Sequence, residues 1–266
     1  MKCLPSFLQK KNRSVKPFRF FAAIVFLFAT IVEHMFADEN DILPITFEKQ
    51  MTRYELSTLP TQDRWSYCVT LPRSVNEFER DPKIIRNYIT LEQGDDHACR
   101  LRSKKNFVAL FRLVDPTFKN ASRLSWRWSV SKHPFNGTAV GRPNDQSIQV
   151  FVVFHNPELP SESEQYTILS FVWTAKTTGK QFATEYRLPS PNSPRVPVRV
   201  QVLQDGSIDG LISQEVELQT EYRKAFGKAA PPVWGILLFA DSDESKEVVP
   251  GEMITDAIIR DIRFSR

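Results

Sequence analysis

The sequence predicts an all-β fold, a two-layer β-sandwich of jelly-roll type with one short amphipathic helix near residues 214–226. Two observations carry this. In the C-terminal half, strand after strand alternates in register: Leu124, Trp126, Trp128 and Val130 fall on one face of their run, and Ser125, Arg127 and Ser129 on the other. A period of two marks a half-buried strand, because successive side chains of an extended backbone point to opposite faces. The second observation is that a convincing helical pattern occurs only once, which excludes a regular βαβ architecture.

The elements follow in order. A first strand is expected around Ile45–Glu48, then strands at Trp65–Leu71, Tyr88–Leu91, Ala98–Arg102 and Phe107–Val114, rich in β-branched and aromatic residues. Ser74-Val75-Asn76-Glu77 has the spacing of a capping box and marks a short helix start. After Leu124–Val130 come strands at Ile148–Phe154, Ile168–Trp173, Val196–Leu203, Trp234–Ala240 and Ile258–Phe264, separated by loops marked with Pro, Gly, Asn and Ser. The helix is predicted over Gln214–Phe226, capped by Ser213 and ended by Gly227 and Pro231-Pro232.

Residues 1–37 read as a targeting segment. A basic stretch from Lys2 to Arg19 precedes an apolar run over Phe20–Val32, the right length for a signal sequence and short for a membrane span, which needs about 20 residues. Cleavage before Asp38 is expected; an uncleaved N-terminal anchor is the alternative and the sole membrane contact envisaged. Either way residues 38–266 form a single exported domain, periplasmic or secreted. The leader holds six of the 35 Lys and Arg and one of the 31 Asp and Glu, so the remainder carries 29 against 30, a net charge of −1. The basic pI thus belongs to the leader, and nucleic acid is not expected as a partner.

Cys68 and Cys99 are the cysteines outside the leader. An oxidising compartment permits a disulfide, but the alternation puts Cys68 on a polar face and Cys99 in phase with Leu101 on an apolar one.

With these strands in hand, the chain resembles the bacterial domain-of-unknown-function family numbered 3047. The resemblance rests on an ordered set of landmarks: Leu124–Trp128 for an "LSWRW" strand, Asn144-Asp145 for an acidic "DD" before Phe151-Val152-Val153-Phe154, and Ser170–Trp173. It continues with Glu221-Tyr222 to Phe226-Gly227, with Gly235–Leu238 running into Asp241-Ser242-Asp243-Glu244 for "DTDN", and with Arg260–Phe264 for "GDIRF". Asn144, Glu244 and Arg260 depart from that pattern. The resemblance implies an exported β-sandwich and no particular activity.

Candidate ligand-binding residues are Arg127, Asp145, Gln149, His155, Trp173, Asp241 and Asp243. Arg127, Gln149 and His155 occupy the polar register of their strands, and neighbouring strands would bring them to one concave sheet face, as in glycan-reading jelly rolls. Trp173 is a candidate sugar platform, against the plainer reading of a core aromatic. In the loop Asp241-Ser242-Asp243-Glu244, carboxylates at i and i+2 could share a hard cation such as Ca²⁺, without the glycine or spacing of an EF-hand. Glu48 and Asp261 form a second candidate metal pair, since the first and last strands of a jelly roll often meet; an ion pair of Asp261 with a basic neighbour is the simpler reading.

Catalytic signatures are sparse. His97, His133 and His155 are far apart, and no His-Glu-x-x-His, Gly-x-Ser-x-Gly, Walker or Cys-x-x-Cys motif occurs. The expected function is an exported binding module for a glycan or cell-envelope polymer, with a structural Ca²⁺ as candidate cofactor. The alternatives are a polysaccharide lyase or hydrolase acting from the concave face, and a structural or assembly factor of the envelope.

Overall fold

The computed structural model describes residues 41–47, 52–53, 65–69, 89–91, 97–137, 145–160, 162–176, 181–187, 195–245 and 252–266. The leader, Glu48 and the capping-box segment at Ser74 lie outside these. In chain order the strands are β1 (Ile42–Ile45), β2 (Thr52–Arg53), β3 (Ser66–Val69), β4 (Ile89–Leu91), β5 (Ala98–Ser103), β6 (Phe107–Leu113) and β7 (Arg123–Lys132). They continue with β8 (Ile148–His155), β9 (Tyr166–Thr174), β10 (Gln181–Arg187), β11 (Arg195–Asp205), β12 (Ile212–Glu217), β13 (Val233–Asp241) and β14 (Thr255–Ser265). A one-turn helix α1 (Glu162–Gln165) precedes β9, and α2 (Leu218–Phe226) follows β12. Among the described residues no helix is long and apolar enough to cross a membrane.

The strands form two sheets. One runs β12-β7-β14-β5-β4 with β1 also on β14; the other runs β10-β11-β9-β8-β13-β6-β3-β2. Pairing is antiparallel except for β9 with β11 and β2 with β3. This is a jelly-roll-type sandwich, and its core is the inward face of β7 laid on that of β9. The Trp126 and Trp128 rings meet edge to face at 5.2 Å, Trp126 contacts Phe171 at 5.7 Å, and Trp128 contacts Trp173 at 5.7 Å. All four rings are buried, and rings of this size dominate core energetics because each removes about 150–250 Å² from water. The second face of the eight-stranded sheet is also apolar: Phe151, Val153, Ile168, Val172, Leu237 and Phe239 belong to a separate buried cluster. Burial on both faces explains why β8, β9 and β13 are near-continuous apolar runs.

Two expectations shift. Gln214–Glu217 extends β12 instead of starting the helix. Ser213, Glu215 and Glu217 are exposed while Val216 is buried, so this edge strand keeps a period of two up to α2. The helix therefore begins at Leu218, with Glu217 rather than Ser213 at its N-cap, and ends as predicted on Gly227, whose φ of 71° and N–H bond to the Arg223 carbonyl (2.8 Å) make a left-handed cap. The first strand is Ile42–Ile45, and it does pair with the last, Ile42 opposite Ser265 and Ile45 opposite Ile262. Strand β10 has no counterpart in the sequence reading. Cys99 is buried on β5, and Cys68 lies on β3 of the other sheet.

Candidate metal centre

At one end of the sandwich the start of β8, the end of β13 and the β5–β6 turn converge. Strand β13 delivers Asp241 there because its pairing with β6 runs to the strand end, Asp241 lying opposite Phe107, whereas its ladder with β8 stops at Phe239 opposite Gln149. The backbone then turns into a tightly bonded loop. The Asp241 N–H donates to the Gln146 carbonyl (3.0 Å) and the Ser242 N–H to the Asn106 carbonyl (3.0 Å). Ser103 Oγ donates to Ser242 Oγ (2.8 Å) and lies 2.6 Å from Thr255 Oγ1, so three buried hydroxyls tie β5, β13 and β14 together.

This framework aims three carboxylates at one another. Asp145, Asp241 and Asp243 each offer an oxygen within 4.8 Å of the others; Asp145 is buried, Asp241 half-buried and Asp243 exposed. The Asp243 N–H donates to Asp241 Oδ1 (3.2 Å) and the Glu244 N–H to Asp145 Oδ1 (3.2 Å). Asp145 Oδ2 is buried with no hydrogen-bond partner among the described residues. The nearby Ser245 hydroxyl favours the charged form, and Ser245 Oγ too is without a hydrogen-bond partner among the described residues. Gly137 shapes the wall behind Asp145, since a Cβ there would come within 2.7 Å of the Asp145 carbonyl oxygen.

The electrostatics follow from burial and like charge. Burial raises Asp241 to about 8, with Asp243 and Asp145 adding to it. Burial also raises Asp145, and the charges of Asp243 and Glu244 reinforce the shift. Asp243 is raised by burial and by Glu244. Three acids that resist ionising together form a set that a cation would relieve. All donors are oxygens, which suits a hard ion, and Ca²⁺ accepts six to eight of them.

The structure thus brings together Asp145, Asp241 and Asp243, the two acidic landmarks of the family resemblance. It separates the rest. Arg127 is exposed on the outer face of the six-stranded sheet, its guanidinium on the Asp261 carboxylate (Nε to Oδ2, 2.6 Å). Gln149 is buried on the eight-stranded sheet; its amide donates to Gln146 Oε1 and accepts from Ser170 Oγ at 3.2 Å. His155 lies at the other end of β8, stacked on Tyr166 at 4.4 Å. The expected convergence of Arg127, Gln149 and His155 is therefore corrected: Arg127 and Gln149 belong to different sheets, and Gln149 and His155 to opposite ends of one strand. The sugar platform at Trp173 is corrected as well, because the ring is buried and its Nε1 donates to the Gly206 carbonyl (2.8 Å). Of the candidate pair Glu48 and Asp261, Glu48 falls outside the described residues, while Asp261 is engaged by Arg127 and by Arg260 Nε (3.1 Å).

Sequence reasoning missed the supports: Ser103, Asn106, Gly137 and Thr255. It also passed over His133, whose Nδ1 lies 2.6 Å from Ser147 Oγ and whose pKa is lowered by burial, against the pull of the Gly206 backbone. No local pattern marks these residues, because their contacts depend on strand order.

The family model described as "Protein of unknown function (DUF3047)" matches residues 74–253. No curated protein matches the chain. Among solved structures, the family 11 xylanase from Neocallimastix patriciarum is 11% identical over 67% of this chain and 85% of its own, with a TM-score of 0.38. The wild-type ENZbleach xylanase is 8% identical over 82% of this chain and 84% of its own, with a TM-score of 0.40.

Proposed function

The chain belongs to the DUF3047 family, whose description assigns no activity, and from that premise we propose that it is an exported, cation-dependent binding module. Its working site is Asp145, Asp241 and Asp243 around a hard divalent cation, with Ca²⁺ the best match. One observation carries this reading: a fully buried carboxylate oxygen, Asp145 Oδ2, has no hydrogen-bond donor of good geometry among the described residues and lies in a cluster with two further carboxylates. A buried polar atom left unpaired costs about 1–3 kcal/mol, and more when charged, so an oxygen in this position calls for a ligand.

Backbone N–H groups already engage one oxygen each of Asp145 and Asp241. The protein's own share of a six- to eight-fold shell is thus incomplete, and the rest falls to water or to ligand oxygens on the exposed Asp243 side. Vicinal hydroxyls of a glycan or envelope polymer are suited to replace that water. The leader supports export, and extracellular modules bind Ca²⁺ with Kd values of about 10⁻⁴–10⁻³ M. The lyase or hydrolase reading loses its support, because Arg127, Gln149 and His155 do not share a cleft.

The test is a glycan array probed with the purified chain, first in Ca²⁺ and then in EDTA. Binding that needs Ca²⁺ and is lost in Asp145→Asn is the expected result. Binding indifferent to EDTA sinks the role of the cation, and an array without hits in either buffer sinks the glycan.

A further inference from the structure

A second cleft, distinct from the acidic cluster, lies between α2 and the β10–β11 edge of the eight-stranded sheet. Its volume is about 200 Å³, and its walls include Leu169, Gln181, Arg199, Gln201, Glu221 and Lys224. Arg199 is held rigidly. Its Nε donates to the Ala225 carbonyl at the end of α2 (3.1 Å), its Nη1 to the Val198 carbonyl (3.4 Å), and its guanidinium carbon sits 5.1 Å from the centre of the Phe226 ring. None of the described residues engages Nη2.

Among the described residues that line the cleft the charges do not cancel. Glu221 is paired with Lys224 at 2.8 Å, whereas both hydrogen bonds of Arg199 go to neutral carbonyls. One positive charge is left over, on a planar fork of donors that matches a carboxylate. The side-chain amides of Gln181 and Gln201 add donors and acceptors of the kind that read hydroxyl groups. The volume is below the roughly 300–1,000 Å³ of sites for drug-sized ligands, so the cleft suits one small unit.

We propose that this cleft binds a small hydroxylated carboxylate of the sugar-acid class, with Arg199 anchoring the carboxylate and Gln181 and Gln201 reading hydroxyls. The site does not depend on the cation reading. Leu169, paired with Arg199 on the same face of the sheet, contributes apolar surface to it, and the fixed guanidinium supplies a preorganised donor that loses little freedom on binding.

The experiment is calorimetric titration of the full chain with sodium D-glucuronate, with D-glucose and sodium acetate as comparators. Glucuronate should bind saturably, glucose should not bind, and acetate should bind at least about tenfold more weakly. Arg199→Lys, which keeps the charge but loses the fork, and Arg199→Gln should each weaken glucuronate by about tenfold or more. Asp145→Asn should leave it unchanged, which separates this site from the cation centre. Absence of saturable glucuronate binding to the unmodified chain overturns the proposal whatever the variants do. Equal affinity for glucose, or for acetate, overturns the sugar-acid assignment.

Discussion

The backbone N–H of Glu244 donates to Oδ1 of Asp145 at 3.2 Å, while Oδ2 of the same carboxylate is buried and unpaired among the described residues. One loop thus fixes the orientation of a buried acid that also has an oxygen within 4.8 Å of carboxylate oxygens of Asp241 and Asp243. An asymmetric carboxylate of this kind is poorly suited to holding the fold together on its own and well suited to holding an ion.

The first prediction concerns the cost of that arrangement without metal. Asp145→Asn removes a charge that burial and its neighbours disfavour. In EDTA the variant should be more stable than the parent by about 0.5–2 kcal/mol, measured by urea unfolding. A loss of stability instead would mean that the carboxylate has a structural partner.

The pH dependence has a definite sign. Burial, with the charges of Asp243 and Asp145, raises Asp241 to about 8. An acid whose folded pKa lies above its unfolded value near 4 leaves stability intact below that value and removes it as pH rises through the folded one. The metal-free chain should therefore lose stability between about pH 4 and 8, and added Ca²⁺ should flatten the profile. Unfolding midpoints across that range in EDTA and in Ca²⁺ provide the check.

Asp261 behaves in the opposite sense. Partial burial pushes its carboxyl up, but the hydrogen bonds and charges of Arg127 and Arg260 prevail and lower it. Its contribution is present above the unfolded value near 4 and lost as pH falls through the folded one. Arg127 is exposed on the sheet surface, so solvent screening holds that contribution to about 0–1 kcal/mol. The backbone matters more. Asp261 has a φ of +53° in a bulge where β14 slips against β7 between Arg260 and Arg263. Asp261→Gly should be tolerated, and Asp261→Val should cost about 1–2 kcal/mol in thermal unfolding.

Trp173 separates packing from recognition. Trp173→Ala should destabilise the fold by about 3–5 kcal/mol, the usual cost of deleting a buried large aromatic. Ligand affinity per folded molecule should not change. A selective loss of glycan binding at full stability would restore the platform reading.

Where the sequence was legible, and where not, follows from range of interaction. Trp126 and Trp128 alternate with polar residues, so the inward face of β7 could be read directly. The last strand looked equally simple, yet Ala257 and Ile259 are buried and then Ile262 and Phe264. That odd step from Ile259 to Ile262 is the trace of the bulge at Asp261, where β14 exchanges β5 for β1 as its partner. In β12 the polar residues with a helix-like composition hid a period of two. Asp145 and Asp241 were legible as separate acidic landmarks. Their meeting depends on β8 and β13 being sheet neighbours, and strand order leaves no local mark. The misplacement of Arg127 beside Gln149 has the same cause, since both occupy polar registers and only topology assigns them to different sheets.

The central claim is that Asp145, Asp241 and Asp243 hold a divalent cation. Its most direct test is a titration of the EDTA-treated, dialysed full chain with CaCl₂, followed by the unfolding midpoint and by calorimetry, with Asp145→Asn in parallel. Binding to the native state alone should raise the midpoint with Ca²⁺ concentration, by a free energy that follows RT ln(1 + [Ca²⁺]/Kd), with a saturable heat that is lost in the variant. A midpoint and heat that Ca²⁺, Mg²⁺ and Mn²⁺ all leave unchanged, or a midpoint shift of equal size in Asp145→Asn, would contradict it.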